Sequence, residues 1–447
     1  MVLEPGLGVE PEGVPRLARR ELVLLLAAAA ALQAIAWVVV YQVLVANKWG
    51  YVPWLGSDTA LYADRGLRVT GGQWPYTEFP FEYPPLSLLF FVLPPLRSTL
   101  AVYHAWFGAQ MIVIDALTAI VTTVVATRVW PGLARPLAAA AALAAAVIAA
   151  GAVAIDRFDG AVALVLAVAM LCLVYRRWAL AGLVIGLGFS LKLMPIVLLP
   201  LVLVLARTRR RVVWATVAAL VGAIGPFLPF LIHDAAGVRS SLFGAQIGRG
   251  LHIESVAASP FLLLQVLRPG TVAIVPPSAS LTISGSGTGL VESAAPLTVL
   301  LLLAVAYWMV WRARETLRSR PEGIPVAALA VVLAALCGNK VLSPQHLLWI
   351  LPLVALCLVG RPLLPKVAAG LLLCAFVLTQ IEYPGMYWRQ VDLDPTPLLV
   401  IAARNALMVA ALVVTVIAVW KLRPAEPAVR GTASDPAVAP SQIGPTG

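Results

Sequence analysis

Long apolar runs, most of them closed by a small knot of arginines, constrain this chain more than any other feature. They cover residues 22–46, 100–127, 137–155, 161–175, 178–206, 212–232, 294–311, 326–341, 346–359, 367–381 and 398–420. Runs of this length and make-up span a bilayer as helices, because only a helix satisfies every backbone group within its own segment. The chain is 61% hydrophobic and 12% charged, with a mean hydropathy of +0.92. A soluble domain carries about twice that charge fraction. The expected fold is therefore an all-α polytopic membrane protein.

The arginines set its topology. Basic clusters follow the runs at Arg128 and Arg135, Arg176 and Arg177, Arg207 to Arg211, Arg312 to Arg320, Arg361 and Lys366, and Lys421 and Arg423. Cationic loops stay in the cytoplasm. Residues 178–206 have basic residues at both ends, so they divide into two short crossings that turn near Lys192. The count is about twelve spans with both termini cytoplasmic in a plasma membrane. The expected organisation is a leader at 1–21, a membrane domain at 22–420 and a disordered tail at 421–447. Outer loops fall at about 47–99, 233–293 and 382–397. Within them, 84–96 reads as an interfacial or re-entrant helix, 259–267 as an amphipathic piece and 280–289 as a flexible Ser/Gly tract. No cleavable signal peptide is expected. The net charge of +11 is spent on topology, so nucleic acid is not an expected partner. The four cysteines sit in apolar runs with neither metal nor disulfide spacing.

Polar and aromatic residues gather on the outer side. In SDTALYADRGLRVTGGQWPYTEFPFEYPP, Ser57 precedes a helix on which Asp58, Tyr62 and Arg65 share one face. Asp58 has two readings: a helix cap in a solvated loop, which is the default for such a pair, or a general base at the mouth of an apolar cavity. The run containing Trp74, Tyr76, Phe79, Phe81 and Tyr83 is an interfacial belt or a wall for a sugar or lipid. Lys192 interrupts an apolar run, where a charge is costly and has a partner; an ammonium near the outer turn that holds a phosphate oxygen is favoured over a topology lysine at a tight turn. Asn339, Lys340, Ser343, Gln345 and His346 make a polar island with Trp349 on the adjacent turn, suited to an anion or a sugar. Asp156, Arg157 and Asp159, like Arg249, His252 and Glu254, read as solvated loop charges or local ion pairs, with Arg249 and His252 as phosphate contacts in the alternative.

The early SDTALYADRGLRVTGGQWPYTEFPFEYPP, the middle GLGFSLKLMPIVLLPLVL and the late NKVLSPQHLLWILPL together resemble glycosyltransferase family 87. These are actinobacterial mannosyltransferases of the GT-C superfamily that depend on polyprenyl phosphomannose. The resemblance runs from about Val23 to Trp420. It implies a GT-C type fold, a lipid-phosphate sugar donor and an acid in the first outer loop as base, a position that Asp58 matches. Met194 and His346 stand where relatives commonly have Tyr. The implied reaction moves mannose to a hydroxyl of a glycolipid or lipoglycan, with inversion. Lys192, Lys340, His346, Arg249 and His252 are the candidates for the donor phosphate. Tyr62, Arg65, Tyr83, Gln345 and Trp349 are candidates for other substrate contacts. No metal ligand set and no cofactor are expected, and Asp392-x-Asp394 is read as incidental. Membrane lipids are the expected surroundings. The alternatives are another polyprenyl-phosphate sugar, such as arabinofuranose or glucose, or a lipid or solute transporter.

Overall fold

The computed structural model describes residues 17–45, 58–278 and 280–422. Asn47, Ser57, most of the leader and nearly all of the tail lie outside these.

The described chain is built almost entirely of helices. The first part comprises α1 (Arg19–Val39), α2 (Thr59–Thr70), α3 (Leu88–Val92), α4 (Leu100–Val129), α5 (Ala134–Ala150), α6 (Val153–Asp156), α7 (Gly160–Val174) and α8 (Trp178–Leu191). The middle holds α9 (Leu199–Leu205), α10 (Arg209–Ile224), α11 (Leu228–Val238), α12 (Ala245–Ile247) and α13 (Ser259–Leu267). The last part holds α14 (Thr288–Ser319), α15 (Ile324–Gly338), α16 (Leu351–Val359), α17 (Leu363–Glu382), α18 (Tyr387–Val391) and α19 (Pro395–Trp420). Among the described residues, seven helices are long and apolar enough to cross a membrane, and six shorter apolar helices accompany them. The protein is a multi-pass membrane protein.

Helix α15 is the axis of the bundle, with all 15 of its residues buried. By contrast, only 11% of the apolar window of α14 is buried, so most of that helix faces outward. Such outward apolar surface is stable only against lipid.

Two segments differ from expectation. The tract at 280–289 is not a flexible linker: Ser280–Gly285 forms strand β2, antiparallel to β1 (Val272–Ser278). Its alternation turns Ile283 into a small second core with Leu251, Ile253, Leu262, Leu398 and Ile401, and that burial overrides the Ser/Gly composition. The segment 84–96 contains only a 3₁₀ turn, Pro85–Ser87, and the five-residue α3. Its proline pairs leave no room for a longer helix.

The tightest helix pair is α8 with α10. A Cβ on Gly182 or Gly186 would strike the carbonyls of Ala215 and Ala219, and one on Gly222 would sit 2.6 Å from the Leu183 carbonyl. Small residues four apart let two backbones approach inside a membrane. Gly186→Val should therefore lower the thermal midpoint of the detergent-purified protein, by the equivalent of about 1–3 kcal/mol or more. Gly370→Ala, at a position with no atom within 4 Å of the added Cβ, should leave the midpoint unchanged or raise it.

Candidate active site

The helices break where the charged residues stand. Helix α8 ends at Lys192, whose backbone is extended, and the chain resumes as a 3₁₀ turn, Met194–Leu198. Helix α15 stops before Asn339, and the polar island leads into a second 3₁₀ turn, Pro344–Ile350. These breaks, the start of α2, the turn between α6 and α7, and the segment after α12 enclose one cavity of about 470 Å³. At the other ends of the helices the arginine turns meet one another: Arg176 donates to the Arg318 carbonyl, and Arg318 to those of Val204 and Leu205.

Asp58 is the N-cap residue of α2 but makes no side-chain cap, so the capping account of this residue is set aside. Its Oδ1 lies 3.3 Å from Arg157 Nη1, and the Tyr62 hydroxyl reaches Oδ2 at 3.5 Å. Arg157 also donates to the Tyr383 hydroxyl at 2.8 Å. Asp58, Arg157 and Tyr383 line the cavity, as do Tyr83, Lys192, Arg249, His252, Lys340, Gln345, His346 and Trp349. Tyr62 and Arg65 do not. Tyr62 is buried beneath Asp58, stacked on Phe91 with centroids 4.3 Å apart. Arg65 is spent on Asp64 at 3.0 Å and on the cavity acid Glu82 at 3.7 Å.

Asp156, Arg157 and Asp159 are not solvated loop charges. All three are buried. Asp159 accepts from Trp349 Nε1 at 2.6 Å and holds Lys192 Nζ at 3.3 Å, which places that ammonium 4.6 Å from the Phe158 ring centroid. Glu254 is likewise buried, 3.0 Å from Arg404 Nη1. Arg404 also lies 4.0 Å from Glu382, and Asn405 donates to the carbonyls of Glu254 and Ser255. This clamp ties the segment behind Arg249 to the middle of α19. Reading the sequence by its loops passed over Arg404, although a charged residue inside the apolar run 398–420 was the signal for it.

The cations differ in how far they are already neutralised. Arg157 faces Asp58, Lys192 faces Asp159, Arg404 faces Glu254, and Lys340 reaches the Ile247 carbonyl at 3.0 Å and Glu292 at 3.4 Å. Among the described residues no carboxylate pairs with Arg249, and its buried Nε has no hydrogen-bond partner. His252 is corrected from a phosphate-binding cation to a neutral imidazole. Its Nδ1 accepts from the Glu254 amide at 3.4 Å, it hydrogen-bonds the Leu342 backbone, and burial pushes its pKa down to about 3. His346 Nδ1 accepts from the Ser343 amide at 3.2 Å, which leaves Nε2 as the donor, and the ring stacks on Trp349. Asp394 caps α19 and pairs with Arg389 at 3.0 Å. No group of three or more His, Cys, Asp or Glu residues gathers as a metal ligand set among the described residues.

The sequence model of glycosyltransferase family 87 matches residues 81–243. Over that stretch, about a third of its length, the chain is similar to the glycosyltransferases of family 87. The matched stretch carries Glu82, Tyr83, Arg157 and Lys192 of the cavity wall, and Asp159 behind them. No curated protein sequence matches the chain. Among solved structures it is similar to the crystal structure of ArnT from Cupriavidus metallidurans bound to undecaprenyl phosphate. That likeness has 17% identity and a TM-score of 0.46, covering 90% of this chain and 77% of that one.

Two outcomes follow for this protein. Arg404→Met strands Glu254 and Glu382 in an apolar interior, and breaking such a pair costs about 3–5 kcal/mol. Its thermal midpoint should fall sharply, and Glu254→Gln added to it should restore part of the loss. His252 has a folded pKa below its unfolded value of about 6.5. Its stabilisation is therefore complete above that value and is lost as pH falls toward 3. Thermal midpoints measured from pH 7 to pH 4 should drop less steeply in His252→Gln than in the wild type.

Proposed function

We propose that this transferase, with a GT-C type fold, moves mannose from a polyprenyl phosphomannose to a hydroxyl of a glycolipid or lipoglycan on the outer face of the plasma membrane. The reading rests on one observation above the rest. Asp58 and Arg249 line the same cavity, one a carboxylate suited to take a proton, the other a guanidinium with no described carboxylate to neutralise it. Arginine matches a phosphate with a rigid fork of donors. Lys192 and Lys340 add positive charge from the same walls, and His346 adds a hydrogen-bond donor.

The acceptor oxygen attacks the anomeric carbon while its proton passes to a carboxylate oxygen of Asp58. The bond from that carbon to the phosphate oxygen breaks, and polyprenyl phosphate leaves with the electron pair. Attack from the face opposite the phosphate inverts the centre, so a β-linked donor gives an α-mannoside. A phosphate leaving group needs no acid, provided that cations receive its charge as it develops. Arg157 and Tyr62 hold the base in place. Leu193, Met194, Val197 and Val299 make the cavity apolar on one side, where a prenyl chain fits.

The test is transfer of radiolabelled mannose from polyprenyl phosphomannose in membranes carrying wild type, Asp58→Asn or Arg249→Met, with chelator in half the samples. Wild-type transfer should persist with chelator. Asp58→Asn should lower it by at least about a hundredfold, the scale of general-base catalysis. Arg249→Met should raise the donor KM as well as slow turnover. Equal transfer by wild type and Asp58→Asn would remove Asp58 as the base.

A further inference from the structure

Beneath Asp58 lies a polar chain that no part of the reaction above employs. Thr59, the next residue, is fully buried at the start of α2, and its hydroxyl meets His104 Nδ1 at 3.3 Å. His104 lies in the first turn of α4, with its Nε2 3.6 Å from Asp156 Oδ1. Asp156 is joined through the backbone to Arg157, whose Nη1 returns to Asp58 at 3.3 Å. The five side chains and two peptide links close a ring through α2, α4 and the turn after α6.

The packing brings these groups together. Gly108 stands one turn beyond His104 on α4, and a Cβ there would sit 2.7 Å from Ile155 Cγ2. That absence of a side chain lets α6 approach α4 closely enough for Asp156 to reach the imidazole. The carboxylate beside Nε2 favours the tautomer with its proton on that nitrogen, so Nδ1 accepts from the Thr59 hydroxyl. The imidazole then measures the distance between the backbone that carries Asp58 and the backbone that carries Arg157.

We propose that His104, with Thr59 and Asp156, is a positioning element for the base. It sets where the Asp58 carboxylate stands relative to its arginine and to the cavity, without touching substrate. The proposal rests on the reading of Asp58 as the base. A displacement of about 1 Å in a reacting group can cost on the order of a hundredfold in rate. Loss of the ring should therefore appear in turnover, not in donor binding.

The experiment uses the full-length chain in membranes, with polyprenyl phosphomannose varied against endogenous acceptor. It compares wild type, Thr59→Val, Thr59→Ser, His104→Phe and Asp58→Asn, and thermal midpoints are measured on the purified proteins. Thr59→Val and His104→Phe should lower kcat by about tenfold to a hundredfold with the donor KM unchanged to within about twofold, while Thr59→Ser restores turnover. If His104→Phe does not fold, Thr59→Val carries the test, since it exchanges one hydroxyl for a methyl. Wild-type kcat in Thr59→Val, with Asp58→Asn inactive, would overturn the positioning role and leave the base in place. Equal losses in Thr59→Val and Thr59→Ser that follow a drop in thermal midpoint would also overturn it, in favour of a packing role. Undiminished transfer by Asp58→Asn, or none by wild type, would overturn the base and this proposal with it.

Discussion

A charge inside an apolar bundle must be matched, and the rest of this site follows from how the chain meets that demand. Removing an ion from water costs several kcal/mol even after relaxation, and only a well-placed counter-charge offsets it. The partners here are far apart in sequence: Asp58 with Arg157, Lys192 with Asp159, Glu254 with Arg404. The first two pairs therefore fix helix ends against each other, and the third fixes the segment before α13 to the middle of α19. The cavity is what remains between ends held in this way. Its shape is set by ion pairs at its edge and by the buried α15 behind it.

The same pairing divides the cations by function. A lysine already held by an aspartate at 3.3 Å, with an aromatic ring beneath it, contributes field more than a free binding site. Arg249 has no such partner among the described residues and stands on a segment stitched in place from two sides. The amide of His252 bonds the Lys340 carbonyl, and those of Ile253 and Ile283 bond the carbonyls of Leu281 and Leu251. The hairpin β1–β2 thus braces the segment that carries Arg249, the cavity guanidinium with no carboxylate partner among the described residues. His252 serves this brace with its backbone amide and with Nδ1, which accepts from the Glu254 amide.

The helical architecture was legible because hydropathy in a membrane protein is nearly a one-dimensional signal. The break at Lys192, the helix at 259–267 and the polar island before α16 all announce themselves in the order of residues. Asp58 was legible from its place in a motif. Its partner was not, because Arg157 looks in sequence like an ordinary turn charge, and burial depends on which helices close over the turn. Arg404 was a different kind of miss. An arginine next to an asparagine inside an apolar run costs too much to be idle, and attention to loops alone hid it. The strand at 280–285 was obscured by its serines and glycines, since the residues that bury it, Leu398 and Ile401, lie more than a hundred positions away.

The extent of the family match gives these interactions a further meaning. Residues 81–243 contain Arg157, Asp159 and Lys192 but neither Asp58 nor Arg249, His346 or Arg404. The matched segment supplies one wall: the arginine paired with Asp58 and the lysine beside Tyr83. The opposite wall comes from the segment after α12, the hairpin, the polar island, Tyr383 and Tyr387. The two walls meet through Asp58–Arg157 on one side and through Trp349 donating to Asp159 on the other. A molecule that bridges Asp58 and Arg249 has to touch both. Its selection is then a property of how the second wall is clamped to the first, and Arg404 and Trp349 fasten that wall at two places.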